Sequence, residues 1–382
     1  MIPTIRKVST MKELKRFARF NYEMYKDNAF SVPDLYSDIM KTFRRDKNPA
    51  YEFCESEFFM AYHADKPVGR VAAIINHKAN ETWSKKAVRF GWIDFIDDLD
   101  VSRALLDAVE QWGRERGMTT MEGPLGFTDM DAEGMLIEGF DELSTMATIY
   151  NFPYYPEHME RLGMTKMVDW IEMKLMVPER LPEQYEKIAR IVKERLKLHV
   201  RKLRSVKEIR RTGIGYKIFD LVNEAYKPLF GYSEMTKGQI DQYIKEYLPI
   251  LELSMVTLVE NEQNELVGVG ISMASLSRAL QRAKGKLWPF GWWHLLKALF
   301  IKRPPILDLL LIAIKPEYQG KGVNAIMFAD LIPIYIAKGF EWGETNPELE
   351  VNEKIQSQWQ YLENRVHKRR RCFAKEICDV QN

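Results

Sequence analysis

The chain has 382 residues, which is more than one hydrophobic core usually organises, because single cores stop growing at roughly 250 to 300 residues. With 46% hydrophobic and 29% charged residues, the composition excludes a disordered or fibrous protein. The 56 Lys and Arg residues against 54 Asp and Glu residues give a formal net charge of +2, so no chain-wide positive field indicates nucleic acid as an obligatory partner.

The three cysteines, Cys54, Cys372 and Cys378, cannot all pair, and none stands at the spacing of a zinc site. The N-terminus lacks the pattern of a signal peptide, and no run of about 18 uncharged apolar residues occurs. We therefore expect a cytoplasmic protein without a bound metal. Peripheral association with the inner face of a membrane stays open.

The first 25 residues predict a short strand followed by a helix rich in Lys and Glu. A similar segment begins near residue 200: residues 5–16 align with residues 200–211 at an offset of 195, and five of the twelve positions are identical. Such self-similarity is the signature of an internal repeat. The chain is therefore predicted to contain two copies of one folding unit.

Two later features extend the repeat. A predicted β-hairpin at residues 58–72 corresponds to one at residues 255–270, with Gly69 and Gly268 offset by 199. A helix that ends at Gly117 corresponds to one that ends at Gly339, and the offset has grown to 222. The larger offset places an insertion in the second copy, between its hairpin and its last helix.

Each copy is predicted to run as strand, helix, two hairpin strands, a third strand, a helix and a further strand. This order predicts an α/β (α+β) fold, with a twisted mixed sheet flanked by helices in each of two tandem copies. We place the first domain at residues 1–178, a charged helical linker at 179–198 and the second domain at 199–382, with the insertion at about 275–305.

One connection in the first copy is rich in Gly, Pro and aromatic residues. It comprises residues 122–131 and 150–155. Such a composition suggests the wall of a pocket that holds an acceptor substrate, and Asn151 and Tyr154 are the candidate substrate-binding residues there. The alternative is a set of turns that pack aromatic side chains onto a core.

The insertion in the second copy is strongly basic. From Arg278 to Arg303 it carries seven Lys and Arg residues and no Asp or Glu, so the rest of the chain has a net charge of −5. Trp288, Trp292 and Trp293 stand among its apolar residues, and Trp292 is a candidate substrate contact. This composition is typical of a segment at an anionic membrane surface. The alternative is an arm that buries its tryptophans against the first copy or a second subunit.

The strongest chemical signal follows the insertion. Residues 308–314 have the pattern of a buried strand, residues 315–324 form a glycine-containing loop, and an apolar helix follows. Gly320 and Gly322 allow the backbone to approach a pyrophosphate, and a helix start supplies free N–H groups and the positive end of its dipole. The spacing fits neither a Walker loop nor a dinucleotide-binding loop. The alternative is a glycine turn that only caps a core helix.

This arrangement resembles the GNAT superfamily of acyl-CoA-dependent N-acyltransferases, whose signature is Gln/Arg-x-x-Gly-x-Gly/Ala between the fourth strand and the next helix. Gln319, Gly322 and Asn324 stand at the three signature positions, and Asn324 departs from the usual Gly or Ala. The resemblance implies acetyl-CoA or a longer acyl-CoA as co-substrate and no metal. The cofactor contacts that it implies are Ile312, Ala313, Ile314, Gln319, Gly320, Lys321, Gly322, Val323 and Asn324.

The same resemblance implies that an amine attacks the thioester directly, while a base accepts a proton and an acid protonates the leaving thiolate. Glu344 and Asp308, at the ends of two predicted strands, are the candidate bases. The position where the family commonly carries its acidic Tyr falls on Trp359, so Tyr361 is the candidate acid. None of the six histidines stands in a triad spacing that would favour a covalent enzyme.

In the first copy, residues 91–104 occupy the place of the glycine loop. The glycines of the loop are absent there, and Asp94, Asp97, Asp98 and Asp100 crowd the segment. Carboxylates repel a pyrophosphate. We therefore expect the first copy to keep the fold without binding CoA.

The chain is thus predicted to be an N-acyltransferase that acts on a primary amine. If the insertion binds a membrane, the acceptor is a lipid amine such as a sphingoid base, because some bacterial sphingolipid N-acyltransferases also resemble GNAT enzymes; otherwise it is a small soluble amine. An inert acyl-CoA-sensing or membrane-docking protein is one alternative, favoured by Trp359. A Fem-type aminoacyl-tRNA-dependent transferase is another, suggested by the basic residues 367–371 and disfavoured by the intact glycine loop.

Overall fold

The computed structural model describes residues 2–377, which form two compact units. Within the described residues, the first unit comprises residues 2–171, 276–296 and 368–377. The second unit comprises residues 172–275 and 297–367. Each unit is therefore discontinuous in sequence, and the continuous boundaries placed at 178 and 199 stay a prediction about the repeat copies.

The helices and strands follow the predicted order in both copies. Those of the first half of the chain are β1 (Thr4–Lys7), α1 (Met11–Met24), α2 (Tyr36–Phe43), β2 (Cys54–His63), β3 (Lys66–Asn76), α3 (His77–Thr82), β4 (Ala87–Phe95), α4 (Leu99–Arg114), β5 (Thr120–Gly123), β6 (Met135–Glu138), α5 (Tyr154–Arg161) and β7 (Thr165–Met176). Those of the second half are α6 (Glu183–Leu196), β8 (His199–Arg201), α7 (Val206–Thr212), α8 (Ile214–Tyr226), α9 (Lys237–Tyr247), β9 (Val256–Glu260), β10 (Leu266–Ala274), α10 (Ser277–Ala283), α11 (Gly291–Leu296), β11 (Ile306–Ile314), α12 (Val323–Ala337), β12 (Trp342–Thr345), β13 (Glu348–Leu349), α13 (Glu353–Gln356) and β14 (Asn364–Glu376).

The sheet of the first unit has the strand order β1-β2-β3-β4-β5-β14. Neighbouring strands are antiparallel except β4 and β5, which are parallel. Helices cover both faces, so β3 is buried almost continuously instead of alternating. Phe17 of α1 lies in one of the two core clusters and Leu105 of α4 in the other. The Thr10 side chain and Glu13 form a capping box that begins α1.

The sheet of the second unit has the strand order β7-β12-β11-β10-β9-β8. Here β11 and β12 are the parallel pair. The helix α12 packs closely on one face, because β10 carries Gly268 there: a Cβ at that position would lie 2.5 Å from Cε of Met327. The helix α8 packs on the opposite face of β10 and β11. The repeated order of elements in the two halves confirms the predicted tandem α/β architecture.

The last strand of each repeat copy completes the sheet that the other copy begins. In the first unit, residues 373–376 of β14 pair with β5. In the second unit, residues 174–176 of β7 pair with β12. This exchange explains why the compact units are discontinuous although the repeat is linear in sequence.

The predicted insertion contains α10 and α11. Within the first unit, Gln281 Nε2 donates hydrogen bonds to the carbonyl oxygens of Ala29 and Ser31, at 3.0 and 2.8 Å. Trp288, Trp292 and Trp293 are nevertheless exposed. These exposures contradict the expectation that the arm buries its tryptophans against the first copy, and their burial against a second subunit stays a prediction.

The thiols of Cys54 and Cys372 are free and buried, and Cys378 lies outside the described residues. Burial raises the pKa of Cys54 to about 12. Among residues 2–377, no helix combines the length and the apolar character needed to span a bilayer.

Candidate active site

The predicted glycine loop forms an open turn at the start of α12. Gly320 and Gly322 have φ values of 71° and 84°, in the left-handed region that favours glycine. Gly322 is the N-cap of α12, so no side chain caps this helix and no acidic residue stands in its first turn. A Cβ at Gly320 would meet no atom within 4 Å. The loop thus presents the helix N-terminus to solvent, as an anion site requires.

The end of β11 has one edge that its neighbour β12 does not cover. Pairing with β12 stops at Leu309, whereas pairing with β10 continues to Ile314. The Lys315 N–H donates to the Val267 carbonyl oxygen of the β10 side. Because backbone groups alternate in direction along a strand, the N–H groups of Ile312 and Ile314 point away from β10. Among the described residues these two N–H groups have no hydrogen-bond partner, so the second unit offers backbone donors beside the glycine loop.

A β-bulge shapes this strand. The register with β10 passes from Leu311 to Leu309 in one step, so Leu310 is the extra residue. Asn346, just after β12, donates from Nδ2 to the Leu310 carbonyl oxygen at 2.8 Å. The Tyr226 hydroxyl donates to the Ile312 carbonyl oxygen at 2.9 Å. From the bulge onward, side-chain donors instead of β12 therefore bind these two carbonyl oxygens.

The two candidate bases lie side by side. Asp308 of β11 and Glu344 of β12 are register partners, so their side chains leave the same face of the sheet. Both are buried, and Nε2 of the buried His367 lies 3.3 Å from Oε1 of Glu344. A carboxylate pair with a neighbouring imidazole has the groups needed to accept a proton from an amine.

The face on which this pair stands can be assigned. The Ser272 and Tyr335 hydroxyls are 2.7 Å apart, and Tyr335 belongs to α12, so Ser272 of β10 faces α12. The next residue, Met273, therefore faces away from α12, as does its register partner Asp308. The candidate bases stand on the face that α8 covers.

The nine predicted cofactor contacts lie on one continuous strand, turn and helix start, but their side chains do not all face outward. Gln319, Gly320 and Lys321 are exposed, whereas Ala313 and Val323 are buried. Gln319 Nε2 donates to the Ile314 carbonyl oxygen at 3.0 Å. A cofactor would therefore meet mostly backbone groups along this path.

No family model matches the chain. Protein YghO of Escherichia coli is 24% identical over 382 residues, which cover 98% of this chain and 95% of that protein. A bacterial ceramide synthase of Caulobacter vibrioides is 26% identical over 313 residues, which cover 82% of this chain and 80% of that protein.

Among solved structures, a tandem GNAT protein from the clavulanic acid biosynthesis pathway superposes with a TM-score of 0.55 at 9% identity, over 99% of this chain and 100% of that one. This chain has the tandem GNAT fold. A GCN5-related N-acetyltransferase from Anabaena variabilis superposes with a TM-score of 0.52 at 7% identity, over 98% of this chain and 73% of that one. The resemblance of the sequence to the GNAT superfamily is thereby confirmed for the fold.

In the first unit, the helix start that corresponds to the GNAT cofactor loop is occupied by a side chain. Asp98 caps α4, and its Oδ1 accepts a hydrogen bond from the Asp100 N–H at 3.0 Å. The Asp98 carboxylate therefore occupies the N-terminus of α4, where a phosphate would have to bind the free backbone N–H groups. This geometry agrees with the expectation that the first copy keeps the fold without binding CoA.

The strand edge of the first unit is closed as well. Phe95 pairs with Gly69 as Ile314 pairs with Gly268, so Phe95 and Ile314 are equivalent positions. The Phe95 N–H donates to the Tyr155 hydroxyl at 3.0 Å, and the Tyr154 hydroxyl donates to the Phe95 carbonyl oxygen at 2.7 Å. The backbone N–H that is available at Ile314 in the second unit is thus satisfied internally at Phe95 in the first.

The predicted substrate-binding residues make structural contacts. Asn151 accepts from the Leu136 N–H at 2.6 Å and donates to the Leu136 carbonyl oxygen at 3.0 Å, and Tyr154 binds Phe95. Trp292 donates from Nε1 to the Pro289 carbonyl oxygen at 2.9 Å within the insertion. Their roles in substrate binding stay a prediction.

The predicted acid, Tyr361, lies beyond a shortened last helix. The helix α13 has four residues, and a 3-10 turn over Ser357–Trp359 follows it. The Tyr361 side chain is 37% exposed, and its ring centroid lies 5.2 Å from that of Tyr185. Its role as proton donor stays a prediction.

Sequence reasoning missed Glu348. This residue follows β12 by three positions, in a stretch with the composition of a surface loop. Its Oε1 nevertheless accepts a hydrogen bond from Nε1 of the buried Trp359 at 3.1 Å, and its Oε2 is buried without a hydrogen-bond partner among the described residues. Burial raises the pKa of Glu348 to about 8. A carboxyl that titrates near neutral pH, two residues after Asn346, is a further candidate for proton transfer.

Glu348→Gln should flatten the pH dependence of stability. The pKa of Glu348 is about 8 in the folded state and has the ordinary value of 4.5 in the unfolded state. Between these two pH values the carboxyl is therefore protonated in the folded state and ionised in the unfolded state. The free energy of unfolding of the native chain should therefore fall as the pH rises from about 4.5 to about 8. The variant, which cannot ionise there, should lose this slope in thermal melts recorded from pH 5 to pH 9. Equal slopes in both proteins would contradict the assignment.

Proposed function

We propose that this protein is an acyl-CoA-dependent N-acyltransferase that transfers an acyl group to the primary amine of a lipid. The observation that carries the proposal is the contrast between the units. The second unit has an open glycine loop at Gly320 and a free strand edge at Ile312 and Ile314, whereas Asp98 and Tyr155 fill the equivalent places in the first unit. Among the described residues, this contrast favours the second unit as the place where a CoA pyrophosphate would bind.

In the proposed reaction, the amine nitrogen forms a bond to the acyl carbon, the carbon–sulfur bond breaks, and the thiol of CoA is released. The N–H groups at the free edge of β11 would bind the carbonyl oxygen of the thioester, where negative charge develops. Glu344 or Asp308 would accept the amine proton. Tyr361 or Glu348 would supply the proton that the leaving sulfur takes up.

The lipid acceptor is supported by one relative. The Caulobacter vibrioides protein is named a bacterial ceramide synthase. A ceramide is an amide of a fatty acid and a sphingoid amine, which is the product class that acyl transfer to a lipid amine would give. At 26% identity we take this as support for an acyl-CoA with a long chain and a sphingoid type of amine in this chain.

An acyl-CoA-binding protein without turnover is the second candidate function. It is favoured by Trp359, which stands where the family commonly carries its acidic Tyr and is buried in a structural contact with Glu348. A transferase that uses aminoacyl-tRNA has less support. Within the basic stretch of residues 367–371, the side chains of Lys368 and Arg370 are buried in β14 and cannot present charge to a nucleic acid.

Thermal melts with CoA, acetyl-CoA and palmitoyl-CoA, followed by a thiol-release assay with dihydrosphingosine or a small amine, test the proposal. A ligand at 100 times its dissociation constant adds about 2.7 kcal/mol to the free energy of unfolding, which raises the melting temperature by several degrees. We expect the shift to grow with acyl chain length and thiol release to require the lipid amine. A shift without thiol release would favour the binding protein, and no shift would contradict both functions.

A further inference from the structure

The insertion displays an unusual apolar surface. We define the aromatic–basic segment as residues 284–303, which follow α10 and precede β11. Its tip carries Trp288 and Phe290, whose side chains are 80% and 73% exposed, and Trp293 is exposed as well. Further along, Phe300 is 65% exposed. Scattered single apolar residues are ordinary on protein surfaces, but a run of large exposed rings marks an interaction site.

The same segment is uniformly positive. Five of the seven Lys and Arg residues between positions 278 and 303 lie in the segment, all five are exposed, and no Asp or Glu interrupts them in sequence. Within the described part of the chain, Arg303 forms an ion pair with Glu252, at 3.2 Å. Most of the positive charge therefore remains available to an external anionic surface.

The base of the segment is held firmly while its tip is displayed. The Tyr36 N–H donates to the Gly285 carbonyl oxygen at 2.8 Å. Gly285 has a φ of 68°, and a Cβ there would lie 2.2 Å from the Tyr22 ring. The backbone at Gly285 is therefore in close contact with Tyr22 of the first unit. The Trp292 indole N–H is already bonded to Pro289, which leaves the ring plane as its external surface. A segment that is anchored at its base and exposes apolar side chains at its tip is suited to docking onto a partner surface.

We propose that the aromatic–basic segment docks the protein onto the surface of a bilayer that contains anionic lipid. Charge complementarity favours this occupant: the cations match anionic headgroups, and the tryptophan and phenylalanine rings match the interfacial depth of the bilayer. The helix α11 of this segment has six residues, which is too short to cross a bilayer, so the segment would bind from one side. Docking rests on the segment alone and does not depend on the proposed catalytic function.

Docking has a consequence for the acceptor, and this consequence does rest on the proposed function. Arg303, the last cation of the segment, stands five residues before Asp308 on β11, and the Ser275 N–H donates to the Ile306 carbonyl oxygen where the insertion rejoins the sheet. A lipid headgroup bound at Arg303 would thus lie near the end of β11 that carries the candidate base Asp308. The glycine loop lies at the other end of β11, where a soluble acyl-CoA enters.

Flotation of the full chain with vesicles tests the docking. We expect binding to phosphatidylcholine vesicles that contain 30% phosphatidylglycerol, as an experimental choice, at low ionic strength, with loss in 0.5 M salt because of screening. Trp288→Ser with Phe290→Ser, and separately Lys284→Glu with Lys286→Glu, should each weaken binding by about tenfold or more. All four side chains are exposed, so both variants should keep the native melting temperature.

The matched controls are other exposed residues of the first unit. Ile2→Ser with Met11→Ser removes two exposed apolar side chains, and Lys12→Glu with Lys15→Glu reverses two exposed cations. Both controls should bind vesicles within about twofold of the native chain, because the residues that they change lie outside the segment. Absence of flotation at low salt, equal losses in the controls, or self-association through the tryptophans in light scattering would overturn the proposal. The shift in melting temperature that CoA causes should be the same in the segment variants as in the native chain, which separates failure of docking from failure of the catalytic proposal.

Discussion

Gly320→Asp should weaken the binding of CoA by at least about tenfold. A Cβ at this position would meet no atom within 4 Å, so the substitution adds a carboxylate to the loop without a clash. Two like charges about 4 Å apart repel by about 4 kcal/mol at an effective dielectric constant of 20, and even after strong screening about 1.4 kcal/mol, or a factor of ten, should remain. Isothermal titration with CoA measures the change.

The matched control is Gly320→Asn. Gly320 has a φ of 71°, and Asn and Asp are the non-glycine residues that adopt such backbone most readily, so the two variants carry the same conformational cost. They differ only in charge. Gly322 is less suited to this test because a Cβ there would lie 3.0 Å from Cγ2 of Ile188 in α6. Equal affinities of the Asp and Asn variants would show that the loop does not hold an anion.

Glu344→Gln should lower kcat by about a hundredfold or more while leaving the dissociation constant for CoA within about twofold. General base catalysis contributes roughly 10² to 10⁴ in rate, and Gln keeps the shape of the side chain but cannot accept a proton. The expectation rests on the position of Glu344 beside Asp308 and His367, on the face opposite α12. Thiol release measured under saturating amine gives kcat.

The control for this substitution is Glu341→Gln, an exposed carboxyl three residues earlier that should leave kcat unchanged. Asp308→Asn, measured in parallel, decides which of the two buried carboxylates accepts the proton, because only the base should show the full loss. An unchanged kcat in both Glu344→Gln and Asp308→Asn would remove both residues from the reaction. Melting temperatures check that each variant folds.

The place of the candidate site was predictable because its parts are contiguous. A buried strand, a turn with two glycines and an apolar helix are successive in sequence, and they are successive in the structure as β11, the loop and α12. Such features depend on local periodicity and on the topology of one repeat.

Glu348 could not be found in this way. Its burial depends on contacts such as that with Trp359, in a turn eleven residues later, and burial raises the pKa of Glu348 although the hydrogen bond from Trp359 lowers it. The closure of the first unit is similar, because Tyr154 and Tyr155 reach Phe95 from a helix about 60 residues away. No local pattern reports whether a loop carboxyl is covered or whether a strand edge is free, since both depend on what a distant segment places there.

The sequence alone determined that this protein has two copies of one α/β unit, that the second copy keeps a glycine loop, and that one segment collects cations and tryptophans. These properties follow from residue spacing and charge, which are read along the chain. Only the tertiary structure decided that β7 and β14 complete each other's sheets, that Asp98 occupies the anion site of the first unit, and that the tryptophans of the insertion are exposed. Strand partners and solvent exposure are set by contacts between residues far apart in sequence, and these contacts are defined only when the whole chain has folded.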